Sequence, residues 1–253
     1  MDATYRSGVV SFLDRIGLLS PRLTVAHGVW LKPDELQVLA AREVIISLNT
    51  SSNLRLGSGI APARDMLARG VPLALGLDGL ALDDDGDALR EMRLADVLHR
   101  GPGFVKGIPR PALFAASMAV APRAVTGLRN HGQLAPGMAA DIVTLDYPAM
   151  SADVIEGMLD ASDLVLARGT AQHVIALMVA GREVVKDGEV VGVDVPAMEA
   201  ELTAQINAQK DTLVNQKRIV ETYQDALRSY YLSRQHLCGC AGGTGAGGKH
   251  GAD

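Results

Sequence analysis

Val71-Pro72-Leu73-Ala74-Leu75-Gly76-Leu77-Asp78-Gly79 is an apolar run that closes on a carboxylate and a glycine. Short apolar runs bounded by turn residues mark buried strands. Val71–Leu77 is therefore expected to be a strand with Asp78 at its C-terminal end. Two runs of the same kind lie upstream: Leu23–Val29, which carries His27-Gly28, and Val44–Leu48, which is β-branched and apolar. Helical stretches separate them. Lys32-Pro33-Asp34-Glu35 opens a helix reaching about Ala41, with proline where a first turn tolerates it, and Pro62–Arg69 reads as another. Residues 1–16 read as a leading helix, with Val9, Phe12, Leu13 and Ile16 at helical spacing and Gly17 as its stop. An αβαβαβ order of this kind implies parallel βαβ units. The polar segment Asn49–Gly59 is expected to be a shaping loop, its Ser51, Ser52 and Asn53 bonding backbone groups locally.

Further along, Asp87–His99 is an amphipathic helix with Leu89, Met92, Ala95 and Leu98 on one stripe. Pro109–Gly127 is a second helical stretch. The pattern then changes. Asp141–Leu145, His173–Ala180 and Arg182–Lys186 are short β runs separated by glycine turns, as in an antiparallel sheet. Pro196–Arg234 is charged and helical throughout, and the glycine-rich Gly239–Asp253 is expected to be disordered.

A chain of 253 residues, 48% of them hydrophobic, can bury a sizeable core. Its net charge of −5, with 24 Lys and Arg residues scattered along it, gives no cationic surface for phosphates. Nucleic acid and anionic membrane are thus not expected as partners. No stretch approaches the ~18 apolar residues of a membrane span. Cys238 and Cys240 do not form a disulfide framework, so a cytoplasmic location is expected.

His27 and Asp78 are the candidate catalytic residues, because each stands at the end of a parallel strand, where catalytic groups gather in parallel α/β barrels. Imidazole and carboxylate also suit Zn²⁺ or Fe²⁺ and the activation of a bound water. A structural histidine and a turn-capping aspartate are the plainer alternatives. His99, His131 and His173 read as surface or packing residues. The acidic run Asp83-Asp84-Asp85 with Asp87 lacks the spacing of a calcium loop and reads as a solvated loop that caps the next helix. His236, Cys238 and Cys240 are weak candidates for a metal in the tail.

Four ordered motifs carry a family resemblance: Ala26-His27-Gly28-Val29-Trp30-Leu31, Thr50-Ser51-Ser52-Asn53-Leu54-Arg55-Leu56-Gly57-Ser58-Gly59-Ile60-Ala61-Pro62, Gly76-Leu77-Asp78-Gly79 with Glu91-Met92-Arg93-Leu94, and Gly132-Gln133-Leu134-Ala135-Pro136-Gly137-Met138-Ala139-Ala140-Asp141-Ile142-Val143. They resemble the amidohydrolase superfamily, and within it the chlorohydrolases and the cytosine, guanine or thioadenosine deaminases. The resemblance runs from about Phe12 to Val190, where Val179–Gly188 resembles the family's final hairpin.

The resemblance implies a fold: the C-terminal part of a (β/α)8 barrel, about its last three strands, over residues 1–130. It is followed by β-sandwich strands over 131–192, a charged helical extension over 193–237 and the tail over 238–253. It also implies that Asp78 ligates a divalent metal, zinc or iron, and takes a proton from the attacking water. His27 would orient that water or the substrate, and Asn53 is the candidate substrate-binding residue. The implied substrate is a small nitrogen heterocycle, losing an amino group or a ring chlorine.

Two departures stand out. Where the family's strand ends in a histidine this chain has Leu48-Asn49-Thr50, and no His-x-His pair occurs anywhere in it. The residues in hand are too few for a metal site of three protein ligands. The expectation is an incomplete enzyme, inactive as this chain alone, that pairs with an N-terminal half or a homologous chain. A non-catalytic remnant and an interaction subunit are the alternatives.

Overall fold

A computed structural model describes residues 8–79, 85–100, 107–155 and 157–233. The first unit, ending at Val191, opens with helix α1, Val9–Arg15, and strand β1, Thr24–Ala26. Helix α2, Pro33–Ala41, leads to β2, Ile45–Leu48. Helices α3, Thr50–Arg55, and α4, Ala63–Ala68, precede β3, Leu73–Leu75. The strands form one parallel sheet in the order β1-β2-β3, as the alternating pattern predicts. All three carboxyl ends consequently lie along one edge.

β2 is central, and Ile45, Ile46 and Leu48 are all buried. A strand covered on both faces needs an apolar run in place of an alternating one. Leu36 and Leu39 of α2 and Met66 of α4 join Ile46, Leu73 and Leu75 in the same core. Removing this surface from water at roughly 25 cal/mol per Å² holds helices to sheet.

The strands are shorter than their apolar runs. β1 stops at Ala26 because Gly28 N–H bonds back to the Ala26 carbonyl at 2.9 Å. β3 begins at Leu73, next to a proline with no N–H to give the ladder, although the Pro72 carbonyl still accepts from Ile46 N.

The segment expected as a loop after Asn49 is instead α3. Thr, Ser and Asn are mediocre helix formers, and no local pattern announces the helix. It forms because a carboxylate from elsewhere caps it: Glu91 Oε1 accepts from Thr50 N at 2.6 Å and Ser51 N at 3.1 Å. Glu91 belongs to α5, Ala88–Leu98, whose Met92 and Ala95 face the core as the stripe predicts. Asp87 caps α5 by accepting from Leu89 N and Arg90 N, in keeping with the sequence reading. Its other oxygen accepts from Ala171 N at 2.8 Å. The charged side of α5 is not all solvated, since Glu91 and Asp96 are buried.

The Pro109–Gly127 stretch is α6, Arg110–Ala115, a π-helical turn over Ala116–Val120, and α7, Ala121–Thr126. Gly127 ends it in the left-handed conformation. The antiparallel sheet also forms, in the order β4-β5-β6-β7, from Ile142–Leu145, Val174–Val179, Arg182–Lys186 and Glu189–Val190. Ala180-Gly181 and Asp187-Gly188 have positive φ at both positions, the geometry of two-residue hairpin turns. Helices α8, Tyr147–Ser151, and α9, Ala161–Arg168, lie between β4 and β5. His173 does not begin β5. It closes a 3-10 turn over Ala171–His173 and pairs with Thr170 Oγ1 at 2.8 Å.

The second unit begins at Gly192. Its helix is not continuous: α10, Val195–Ala208, and α11, Lys210–Leu232, are interrupted at Gln209. Among the described residues no helix is long and apolar enough to cross a membrane. Residues 1–7, Asp83, Asp84, His236, Cys238, Cys240 and the glycine-rich tail lie outside the described residues.

Candidate active site

His27 follows β1 directly, and Asp78 lies three residues past the end of β3. His27 has φ +70° and sits at the centre of the turn closed by Gly28 N and Ala26 O. Positive φ at a residue other than glycine costs of order 1–3 kcal/mol and recurs at functional sites. Its amide bonds to the Ser47 carbonyl of β2 at 2.9 Å, which fixes where the turn leaves the sheet. Gly28 has φ +62°, which disfavours a side chain, and a Cβ there would stand 2.9 Å from Met66 Cε and 3.1 Å from Ile46 Cγ2, so these neighbours would have to shift.

The turn aims the imidazole across the edge of the sheet. Nε2 of His27 lies 3.6 Å from Asp78 Oδ2, with both side chains about a third exposed. Nδ1 lies 2.9 Å from Asn53 Oδ1. An amide oxygen only accepts, so a neutral ring that makes this bond carries its proton on Nδ1 and turns Nε2 toward Asp78. Asp78 Oδ2 also accepts from Ser52 Oγ at 2.7 Å. Ser52 and Asn53 are adjacent on α3 and almost wholly buried. One short helix thus holds both members of the pair.

Ser52 was not singled out for this role by its sequence, and Asn53 bonds to His27 where local backbone contacts were expected. Only the proximity of the four motifs in one chain hinted at such a cluster. Leu48 is buried in the core, and Asn49 accepts from Ser47 Oγ at 2.8 Å. Gly76 lies against this pair, where a Cβ would be 2.3 Å from Ser47 Oγ. His99 is buried behind α3, beside a small cavity lined by Leu48, Thr50 and Asn53. Burial pushes its imidazole below the usual range. His131 lies 3.1 Å from Asp141 Oδ2, near the second sheet.

Among the described residues no three His, Cys, Asp or Glu side chains are grouped to hold a metal ion. Asp78 keeps one carboxylate oxygen clear of the Ser52 bond, so it suits a single metal–oxygen contact beside a histidine. An imidazole and a carboxylate thus meet at the carboxyl edge of a parallel α/β sheet.

The chain belongs to the amidohydrolase family, whose model matches residues 2–191. It is 35% identical over 194 residues to a 5-methylthioadenosine/S-adenosylhomocysteine deaminase of Nitratidesulfovibrio vulgaris, covering 76% of this chain and 43% of the relative. It is 42% identical over 137 residues to a 5'-deoxyadenosine deaminase of Methanothermobacter thermautotrophicus, covering 54% and 32%. A zinc-bound adenosine deaminase from Xanthomonas campestris superposes with a TM-score of 0.75 at 25% identity, over 83% of this chain and 47% of that one. The zinc complex of an atrazine chlorohydrolase from Arthrobacter aurescens gives 0.70 at 27%, over 81% and 45%. The chain therefore spans less than half the length of these relatives.

Proposed function

We propose that this chain provides one side of a deaminase active site, the other side coming from a segment equivalent to the remainder of its relatives. The observation that carries the reading is the 3.6 Å approach of His27 Nε2 to Asp78 Oδ2 at the carboxyl edge of the parallel sheet. In this reading β1, β2 and β3 are the last three strands of a (β/α)8 barrel. β1 and β3 each pair on one side only among the described residues. An unpaired strand edge is a template for another strand, and the companion segment would occupy both.

The substrate is a nitrogen heterocycle bearing an exocyclic amine, with a 5'-modified adenosine favoured by the two curated relatives. Water adds to the amine-bearing ring carbon and gives its proton to Asp78. The proton passes to the departing nitrogen, the C–N bond breaks, and ammonia leaves. Ser52 holds one oxygen of Asp78 and so fixes the carboxylate's direction. His27 orients the water or substrate through Nε2, and Asn53 acts on the substrate through the ring it holds. Asp78 would hold the divalent ion, zinc or iron, which when bound lowers the pKa of water toward neutrality.

The test is ammonia release from 5'-deoxyadenosine and 5'-methylthioadenosine by the chain combined with the front half of a relative, in zinc and in iron. Turnover that requires both polypeptides supports the reading. A properly assembled, metal-loaded complex without turnover on any amino-purine would refute it.

A further inference from the structure

We infer that Glu91 is a positioning residue for the His27–Asp78 pair, acting through α3; the inference deepens the deaminase reading and rests on it. Glu91 is a carboxylate at 2% exposure on α5, with no role in the proton transfers above. A charge buried to that degree is retained at the expense of solvation and needs strong compensation. Its compensation is specific: Thr50 N at 2.6 Å and Ser51 N at 3.1 Å, the first two amides of α3. These amides have no partner within their own helix. The residue that would normally cap them, Asn49, makes no side-chain cap, since its Oδ1 is engaged by Ser47.

The next two residues of the same turn are Ser52 and Asn53, which reach Asp78 at 2.7 Å and His27 at 2.9 Å. Glu91 thus fixes the start of a single helical turn whose following side chains set the carboxylate's direction and the imidazole's proton. Helix α5, which carries Glu91, is anchored at two further points. Asp87 accepts from Ala171 N, and Arg93 Nε donates to the Leu166 carbonyl at the end of α9. The Glu91-Met92-Arg93 motif therefore ties the capped turn to the body of the fold. Without Glu91 the Ser/Thr/Asn-rich turn loses the interaction that makes it helical, and Nδ1 of His27 loses a fixed acceptor.

The experiment uses the full chain and reads the His27 ring nitrogens by proton–nitrogen NMR, with His27→Gln to assign the signal. Wild type should show the proton on Nδ1. Glu91→Leu should shift the ring toward the Nε2–H form and speed exchange of the Thr50 and Ser51 amides at least about tenfold, the loss of one hydrogen bond to a charged group. Glu91→Gln, which keeps one acceptor oxygen, should fold and show the same changes in smaller degree, so the test does not depend on the leucine variant folding. Asn53→Ala separates the two claims. If Asn53→Ala shifts the tautomer and neither Glu91 variant does, the role of Glu91 is overturned while the site stands. If Asn53→Ala leaves His27 unchanged, the site geometry itself is wrong.

Discussion

The imidazole of His27 faces the carboxylate of Asp78 across 3.6 Å, although the two residues leave strands separated by β2. Neither is held by its own strand alone. A strained turn presents His27, and one turn of helix supplies the acceptor for its Nδ1 and the donor for Asp78.

The first prediction concerns metal. Two candidate ligands do not close a shell of at least three protein ligands, so the purified chain should bind Zn²⁺ weakly and lose it on dialysis. Elemental analysis checks this. One tightly held equivalent of zinc after dialysis would require ligands beyond His27 and Asp78.

Gly76 offers a packing test. A methyl group there would meet Ser47 Oγ at 2.3 Å and Asn49 Oδ1 at 2.8 Å. Gly76→Ala should destabilise the chain by about 1–3 kcal/mol, as overpacking does. Ser47→Ala removes the nearer obstacle, so the double variant should recover part of the loss in a double-mutant cycle read by urea denaturation.

Asp87 joins two parts of the first unit. Asp87→Ala removes the cap on Leu89 N and Arg90 N together with the bond from Ala171 N. The expected loss is about 2 kcal/mol, combining a helix cap with a part-buried hydrogen bond. Asp87→Asn, which keeps one acceptor oxygen, should lose less. Equal losses for both would mean that charge, not geometry, holds the junction.

His99 gives a pH dependence of known sign. Burial lowers its pKa in the folded chain, so below about 6.5 the unfolded chain binds the proton more readily. Stability should therefore be unaffected by this group above that value and fall as pH drops below it, by at most about 1.4 kcal/mol per unit. Denaturation at pH 7.5 and 5.5 should show a smaller difference for His99→Leu than for wild type.

Much of this was legible in the sequence because it depended on local pattern. The apolar runs at Leu23–Val29, Val44–Leu48 and Val71–Leu77 gave the parallel strands, and Asp87 announced the helix it caps. The short β runs separated by glycine turns likewise marked the antiparallel sheet. What escaped was set by contacts distant along the chain. α3 is helical because Glu91 caps it from another helix, so Thr50–Asn53 looked like a loop when read alone. Ser52 and Asn53 face the site for the same reason. The break at Gln209 falls between two polar helical segments and has no proline or glycine to announce it.

The most direct test is turnover by the assembled enzyme when Asp78 alone is changed. Asp78→Asn keeps the size and the bond from Ser52 while removing the proton acceptor, so ammonia release should fall at least ~10²-fold, as for loss of a general acid–base group. Its melting temperature should stay close to wild type, because the side chain faces the open strand edge and is not part of the apolar core. Asp65→Asn on the exposed side of α4 is the control and should retain turnover. Full activity in Asp78→Asn, or an equal loss in Asp65→Asn, would contradict the assignment of Asp78 as the acceptor.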